Sequence, residues 1–460
     1  MATATLLPNS SGLPGQLEIG DKPDFTGGEA TVYFTRDGQH VVKLYHRPTG
    51  DKVQLLQKVL DLGRNLGEEG QFLAWPLGIV ERVNGQPRIG SVSRHVPGGS
   101  LYKLMFSPRD ARQQFEQGWT WVNYLKIARG VAAAAKVVHD KGIAHADISF
   151  KNYLADPRSG QVVLIDLDGV VVSGFLKAQV KGTPQFIAPE IMVGKAKPSQ
   201  EGDRHSAAVL LLWTLLFRNV MLPQRCYDDE DQANDDLLAY GEHACFSEHP
   251  TDRRNWVGNI GAPLYRDGAL SFRVLSPRLQ QLSLRALVDG LHEPAKRPPL
   301  REWERALAEA YDLLIRFLNC RQSYLYPYWL QPAPRRQCPF CGSAVRPPYP
   351  AVLELQESRA RGVYTPVRTL VAYHGLPLFA DVAESGSMPP FTRQGIPTIG
   401  QTIWDARLNL YRLTNNADIP WLVIAGGAGQ GRVGRGESVP LQPGLVLSFG
   451  DGRRLARVVE

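Results

Sequence analysis

The chain has 460 residues, 43% hydrophobic and 21% charged, which is the composition of a soluble globular protein long enough for more than one domain. Its net charge of +7 is modest for this length and argues against specific nucleic-acid binding. Five scattered cysteines, an odd number, argue against a disulfide framework and for a reducing compartment. With neither a signal-peptide pattern nor a membrane-length apolar run, we expect a cytoplasmic protein that does not contact a membrane.

The N-terminal part is predicted to be rich in β-structure. Residues 1–15 are rich in Ser, Thr, Pro and Gly, which predicts a disordered arm. Short β-type runs separated by turn residues then extend to about residue 97, interrupted by helical spacing over Asp51 to Leu66. Gly27 and Gly28 lie in a turn where backbone amides can approach a phosphate group.

Helical patterns dominate from residue 98 to about residue 318. Apolar residues recur at spacings of three and four between Val122 and Val138, which predicts a helix that ends near Gly142. The run from Ala207 to Phe217 is apolar on every face, so we expect a buried helix there.

Polar residues suited to phosphoryl transfer stand in two motifs, His145–Asn152 and Val163–Gly169. The reaction needs a carboxylate that orients the attacking hydroxyl and accepts its proton, and Asp147 suits this task. It also needs oxygen ligands for Mg²⁺, which Asn152 and Asp166 can provide. Either motif alone could equally be an ordinary surface loop.

Further motifs follow in a fixed order: Gly182–Glu190, Asp203–Ser206 and Arg297-Pro298. Together with the first two motifs, they resemble eukaryotic-like protein kinases. The resemblance spans residues 16–318 and implies an α+β bilobal kinase fold, with an N-lobe over 16–97 and a C-lobe over 98–318. It also implies that ATP and Mg²⁺ bind, and that the segment at Asp203 braces the catalytic loop.

The same resemblance assigns roles to the N-lobe. It implies that Gly27 and Gly28 cover the nucleotide phosphates and that Lys43 holds them. A kinase lysine of this kind pairs with a helical Glu, but the helix predicted from Asp51 contains none. Asp61 is the nearest acid by spacing, which leaves the partner of Lys43 open.

Several positions depart from the kinase pattern. Ala146 replaces the Arg that clamps a phosphorylated activation segment, so we do not expect activation by that route. Ser149 stands where Ser/Thr kinases carry Lys, and Lys151 could supply that charge near the transferred phosphoryl group. Asp168 replaces a motif glycine, either as a turn residue, the preferred interpretation, or as a metal ligand.

Residues 319–350 form a predicted linker that contains Cys338 and Cys341 in a CxxC knuckle. Such a knuckle can bind zinc if two further ligands join it, and Cys320 and His374 are candidates. The alternative is a reduced structural turn. Residues 351–460 predict a small all-β, sandwich-like domain whose end resembles a forkhead-associated domain, which raises the hypothesis of phosphopeptide binding.

The segments Ala74–Leu77, Gly241–Asn255 and Cys338–Gly342 resemble bacterial kinases linked to tellurium-resistance-type stress operons. That resemblance implies a von Willebrand A-type protein and a PP2C-type phosphatase as partners. An ordinary bacterial Ser/Thr kinase is the alternative. The predicted function is phosphorylation of Ser or Thr in partner proteins. The missing helical Glu and atypical glycine turn motivate a second hypothesis, a nucleotide-binding pseudokinase scaffold.

Overall fold

The computed structural model describes residues 1–8, 12–156, 159, 161–172, 182–360, 362–426, 431–450 and 452–460. These residues pack into two compact units. The first unit comprises Met1–Gln117, Lys126–Gly258 and Leu282–Glu302. The second comprises Gly118–Leu125, Asn259–Gln281 and Trp303–Glu460. Both units therefore contain separated stretches of the chain, and the domain limits at residues 97, 318 and 350 stay a prediction.

The first unit begins with an antiparallel sheet of strand order β2-β1-β6-β7-β5-β4-β3. Apolar side chains of β1, β2, β5, β6 and β7 form a buried cluster within it. The strands are β1 (Ala2–Leu6), β2 (Gln16–Ile19), β3 (Phe25–Thr26), β4 (Ala30–Phe34), β5 (His40–Tyr45), β6 (Pro76–Val83) and β7 (Gln86–Arg94).

Strand β1 corrects the prediction that residues 1–15 form a disordered arm. Its alternate residues Ala2, Ala4 and Leu6 are buried, and its backbone pairs with both β2 and β6. Pairing on both edges satisfies the backbone polar groups, and burial of every second side chain supplies the hydrophobic free energy. The composition of residues 1–15 predicted disorder because local composition carries no information on pairing with strands that are distant in the sequence, such as β6.

Helices make up much of the remaining chain up to residue 310. The long α6 is buried on every face over its apolar part, which confirms the expected buried helix at Ala207–Phe217. The helices are α1 (Lys52–Leu62), α2 (Tyr102–Met105), α3 (Pro108–Glu116), α4 (Trp121–Asp140), α5 (Pro189–Met192), α6 (Gln200–Leu216), α7 (Gln232–Leu237), α8 (Pro277–Leu284) and α9 (Leu300–Ala310).

Short strands between α1 and α5 bring the polar motifs together. Strand β10 pairs with β11 in the order β11-β10-β8, and β12 pairs with β9. Because Tyr153 lies opposite Leu164, the residues just before β10 and just after β11 meet at one end of the hairpin. These strands are β8 (Gly99–Ser100), β9 (Ile143–Ala144), β10 (Tyr153–Ala155), β11 (Val162–Leu164) and β12 (Val171–Val172).

The second unit is mainly β-structure. Beyond a β13-β14 pair, it has sheets of order β16-β15-β24-β23-β20-β21 and β17-β18-β19-β22, and one hydrophobic cluster draws side chains from both. The forkhead-associated interpretation of this part stays a prediction. Its strands are β13 (Leu314–Arg316), β14 (Ser323–Leu325), β15 (Ala351–Ala360), β16 (Val363–Ala372), β17 (Pro377–Phe379), β18 (Thr398–Asp405), β19 (Leu410–Asn415), β20 (Trp421–Ala425), β21 (Gly431–Val433), β22 (Ser438–Pro440), β23 (Val446–Ser448) and β24 (Arg454–Val458). In the described part of the chain, we find no helix with the length and apolarity needed to cross a bilayer.

A buried ion pair holds the start of α5 in the first unit. The Arg297 guanidinium has no exposed side-chain surface and donates to both carboxylate oxygens of Glu190, at 2.7 and 2.8 Å. It also donates to the carbonyl oxygens of Gly290, Leu291 and Glu201. Removing one member of such a pair leaves the other charge without its partner.

We expect Arg297→Met to lower the free energy of unfolding by about 3 kcal/mol, because Glu190 and several carbonyls lose their donor. Chemical denaturation followed by tryptophan fluorescence measures the change. The matched control is Lys296→Met, which removes an exposed pair with Glu293 and should cost about 0.5 kcal/mol or less. Equal losses in the two variants would contradict the bracing role of Arg297.

Candidate active site

The loop that carries Asp147 is held by the buried carboxylate of Asp203. One Asp203 oxygen accepts from the His145 amide at 2.6 Å, and the other accepts from the Ala146 amide at 3.0 Å. Ala146 has a φ of +70°, a left-handed conformation that costs free energy for a residue with a side chain. The two hydrogen bonds therefore stabilise a backbone shape that the local sequence alone does not favour. This agrees with the expected bracing role of Asp203.

The Asp147 carboxylate is oriented from both sides. Its Oδ1 accepts from the amide and the hydroxyl of Thr183, each at 2.9 Å. Its Oδ2 accepts from the Asn152 side-chain amide at 2.8 Å. A carboxylate fixed in this way can receive a hydroxyl group in a defined geometry. Thr183 is a site residue that the sequence motif contained but for which we predicted no contact.

Gly182 lets the Thr183 segment approach this loop. A side-chain carbon at Gly182 would lie 3.0 Å from the Ala146 carbonyl oxygen, and its φ of +100° is unfavourable for other residues. The predicted activation segment continues upstream into residues 173–181, which lie outside the described residues. The expectation that phosphorylation there does not activate the protein stays a prediction.

The predicted magnesium ligands lie at the end of the β10-β11 hairpin. The Ile165 amide donates to the Asn152 carbonyl at 2.9 Å, which places Asp166 directly after this contact. The side-chain nitrogen of Asn152 donates hydrogen bonds to Asp147. The side-chain oxygen of Asn152 is therefore the atom of this amide that can bind a cation. The Asp166 side chain is 43% exposed and can present oxygens to a ligand. This donor set fits Mg²⁺, which prefers a few protein oxygens and keeps waters.

Lys43 lies on β5 and contacts two acids of the second motif. Its ammonium group donates to Asp166, and it donates to Asp168 at 3.1 Å. Asp168 also accepts from the Tyr45 hydroxyl, and its side chain is only 6% exposed. Asp168 lies in a short 3₁₀ turn, which agrees with the preferred interpretation of Asp168 as a turn residue. Its side chain is also buried and pairs with Lys43. The acid that pairs with Lys43 therefore comes from the Asp166–Gly169 turn.

Burial and the nearest opposite charges shift the pKa values of Lys43 and Asp168 in opposite directions. Burial alone would lower the pKa of Lys43, but the charges of Asp168 and Asp166 outweigh it and raise that pKa. Burial would raise the pKa of Asp168, but Lys43 and the surrounding hydrogen bonds hold that pKa well below its usual range. Although 43% of the Asp166 side chain is exposed, the protein atoms packed around its carboxylate partly desolvate it, and this desolvation, followed by the nearby charge of Asp168, raises its pKa. The ammonium of Lys43 and the carboxylate of Asp168 thus stay charged at neutral pH.

The candidate helical acid is not the partner of Lys43. Asp61 is more than half exposed and pairs with Arg64 at 2.9 Å on the surface of the first unit. The residue that α1 places near the lysine strand is a cation, Lys52, whose ammonium lies 4.2 Å from the centre of the Tyr45 ring. No local sequence pattern indicated that the acid paired with Lys43 would come from the Asp166–Gly169 turn and not from α1.

The remaining predicted residues are less constrained. Gly27 and Gly28 are exposed in the β3-β4 turn, which the Gly27 amide closes by donating to the Ala30 carbonyl at 2.9 Å. Lys151 is exposed and makes no hydrogen bond or ion pair with another residue in the described ranges. Ser149 is fully buried. The proposed roles of Gly27, Gly28 and Lys151 stay predictions.

A cysteine cluster lies in the second unit. The sulfurs of Cys320, Cys338 and Cys341 lie within 4.8 Å of one another, so Cys320 joins the CxxC pair as proposed. His374 is not in this group, and its Nδ1 accepts from the Trp404 amide at 3.1 Å. Thiolate sulfur is a preferred zinc ligand, and the three cysteines offer three of the four ligands of a tetrahedral site.

Comparisons with known proteins agree with this geometry. The protein kinase domain family matches residues 92–287. The protein kinase YegI of Escherichia coli O157:H7 is 26% identical over 331 residues, which is 68% of this chain and 47% of that protein. YegI of Escherichia coli strain K12 is 27% identical over 36% of this chain and 26% of its own length. A dual serine/threonine and tyrosine protein kinase of Apis mellifera is 28% identical over 32% of this chain and 15% of that protein.

The fold of the first unit, the site and these matches establish a protein kinase domain in this chain. Within that class, the chain is homologous to the bacterial protein kinase YegI. The chain spans less than half the length of the relatives reported above.

We expect Asp203→Asn to lower the free energy of unfolding by about 2 kcal/mol, because a side-chain NH₂ group would face a backbone amide donor. Hydrogen exchange at the His145 and Ala146 amides should also become faster than in the unmodified protein. Mass spectrometry of peptides containing these residues measures that exchange. Asp140→Asn is the matched control, since Asp140 is exposed and pairs with Lys136. Unchanged exchange in Asp203→Asn would show that the brace is not needed.

Proposed function

We propose that this protein transfers the γ-phosphoryl group of ATP to Ser or Thr hydroxyls of protein substrates. The observation that supports the proposal best is the Asp147 carboxylate, which Thr183 and Asn152 orient beside the loop that leads to Asp166. An ordinary Asp on a surface loop is solvated by water and is not held by several side-chain and backbone donors as Asp147 is. The match to protein kinases over residues 92–287 supports the same assignment.

Each residue has a role that follows from its position. Asp147 orients the acceptor hydroxyl and receives its proton, while Lys43 binds the nucleotide phosphates. Gly27 and Gly28 offer backbone amides to the phosphates, and Lys151 adds positive charge near the transferred group. Asn152 and Asp166 hold Mg²⁺, which neutralises phosphate charge when it is bound. Catalysis of this kind depends on positioning and electrostatics rather than on a covalent intermediate.

The proposed acceptors and partners rest on resemblance. Relatives named as dual serine/threonine and tyrosine kinases make the acceptor residue a point to measure. The proposed partners are a von Willebrand A-type protein and a PP2C-type phosphatase in a cytoplasmic stress-signalling triad. Segments such as Gly241–Asn255 support that proposal by their resemblance to tellurium-resistance-linked kinases.

Asp147→Asn and Asp166→Asn should each reduce transfer of labelled phosphate from ATP by about 10²–10⁴-fold, because the base or a magnesium ligand is lost. The assay compares these variants with the unmodified chain, alone and with the von Willebrand A-type protein, and maps the labelled residue. Asp61→Asn is the control and should retain full activity. If the unmodified chain binds ATP but transfers no phosphate, the protein is instead a pseudokinase scaffold.

We also propose that Cys320, Cys338 and Cys341 bind a structural zinc ion. The convergence of their sulfurs within 4.8 Å supports this, because three thiolates at this spacing can bind one zinc ion together. None of these three cysteines is among the residues assigned to phosphoryl transfer.

Purified protein should contain about one zinc ion per chain by elemental analysis, as expected for a structural site. Cys338→Ser should lose the zinc and unfold at a lower temperature, because a structural metal stabilises the fold that holds it. Cys226→Ser is the control, since Cys226 is exposed and outside the cluster. Native protein free of zinc would make the CxxC segment a reduced structural turn.

A further inference from the structure

The lysine of a kinase nucleotide site needs an acid that holds its side chain toward the phosphates. The usual acid lies on a helix of the N-lobe, as the kinase pattern described above requires. In this chain, α1 has no Glu, and its Asp61 is occupied on the surface by Arg64. The function of the helical acid must therefore be met elsewhere or lost.

Asp168 has the environment that this role requires. Its carboxylate accepts from Lys43 at 3.1 Å through one oxygen and from the Tyr45 hydroxyl through the other. Only 6% of its side chain is exposed, against 43% for Asp166. A buried carboxylate is stable only when it is paired and hydrogen-bonded, and Asp168 meets both conditions.

Helix α1 carries a positive charge in this region, whereas the usual kinase helix carries the negative charge of a Glu. Helix α1 contributes Lys52, which is 5% exposed and places its ammonium over the Tyr45 ring. Leu56, one turn later, is buried in an apolar cluster with Tyr45. The helix therefore presents a cation and an apolar surface to this region, and the negative charge comes from the turn after β11.

We propose that Asp168 takes the place of the helical acid and positions Lys43 for the nucleotide phosphates, with Tyr45 holding Asp168 in place. Asp168 acts through Lys43 and is a positioning residue. This inference rests on the proposed nucleotide site but not on phosphoryl transfer itself. Because Asp168 and Asp166 share one turn, the lysine partner and the metal ligand are placed together, and the pair does not depend on where α1 lies.

The competing role for Asp168 is that of a second metal ligand. Both of its oxygens already accept hydrogen bonds within the protein, and its side chain is nearly closed to solvent. Asp166 is the more open carboxylate and also contacts Lys43. Without Asp168, Lys43 would keep Asp166 as its partner and turn away from the phosphates.

A double-mutant cycle on ATP binding separates these roles. Binding is measured by calorimetry with ATP in EDTA, so that no metal ligand contributes. Lys43→Met should weaken ATP binding about tenfold in the otherwise unmodified chain, because a charge-assisted contact is lost. In the Asp168→Asn background, the same change should weaken binding less than about twofold, because Lys43 is no longer positioned.

Equal effects of Lys43→Met in both backgrounds would overturn the inference. Tyr45→Phe provides a second test if Asp168→Asn does not fold, and it should reduce the effect of Lys43→Met in the same direction. Asp61→Asn is the matched control and should leave the effect of Lys43→Met unchanged. Thermal unfolding of each variant confirms that folded protein is being compared.

The outcomes distinguish this inference from the proposed function. Coupled binding in a protein that transfers no phosphate would support Asp168 as the positioning residue and reject kinase activity. Active phosphoryl transfer with uncoupled binding would support the kinase and reject the role of Asp168.

Discussion

The pairing of buried charges is the constraint on which the site depends. A charge removed from water is tolerated only beside an opposite charge and hydrogen-bond partners. Lys43 on β5 and Asp168 in the turn after β11 pair with each other although they lie far apart in the sequence, and Tyr45 provides a further hydrogen bond. The lysine strand is thereby tied to the turn that carries Asp166. This contact brings the residue proposed to bind the nucleotide phosphates close to one of the proposed magnesium ligands.

The same constraint recurs around the catalytic loop and in the second unit. Asp203 provides acceptors for backbone amides that the left-handed Ala146 turns inward, and Arg297 neutralises Glu190 where α5 begins. In the second unit, the buried Arg368 pairs with Asp312 and Asp381. The contacts of Asp203, Arg297 and Arg368 with Ala146, Glu190 and Asp312 each join segments more than 50 residues apart, so these charges fix tertiary geometry as well as local shape.

The structure also bears on the choice between kinase and scaffold. The absence of a Glu from α1 was one of two reasons to consider a pseudokinase, because a lysine without its acid loses its orientation. Asp168 pairs with Lys43, so the negative charge that α1 does not provide here comes from the turn after β11. The residues proposed for proton acceptance and metal binding, Asp147, Asn152 and Asp166, are all present around one end of the β10-β11 hairpin.

The sequence by itself determined the match to the protein kinase domain and the buried helix α6, and it predicted site roles for Lys43, Asp147 and Asp166, because ordered motifs and hydrophobic periodicity are local signals. Only the tertiary structure decided that Asp168 pairs with Lys43, since the two residues are 125 positions apart. It likewise decided that Ala2–Leu6 form a strand and that Cys320 joins Cys338 and Cys341. Those outcomes depend on which distant segments pack together, and that packing is set by burial and charge pairing across the whole fold.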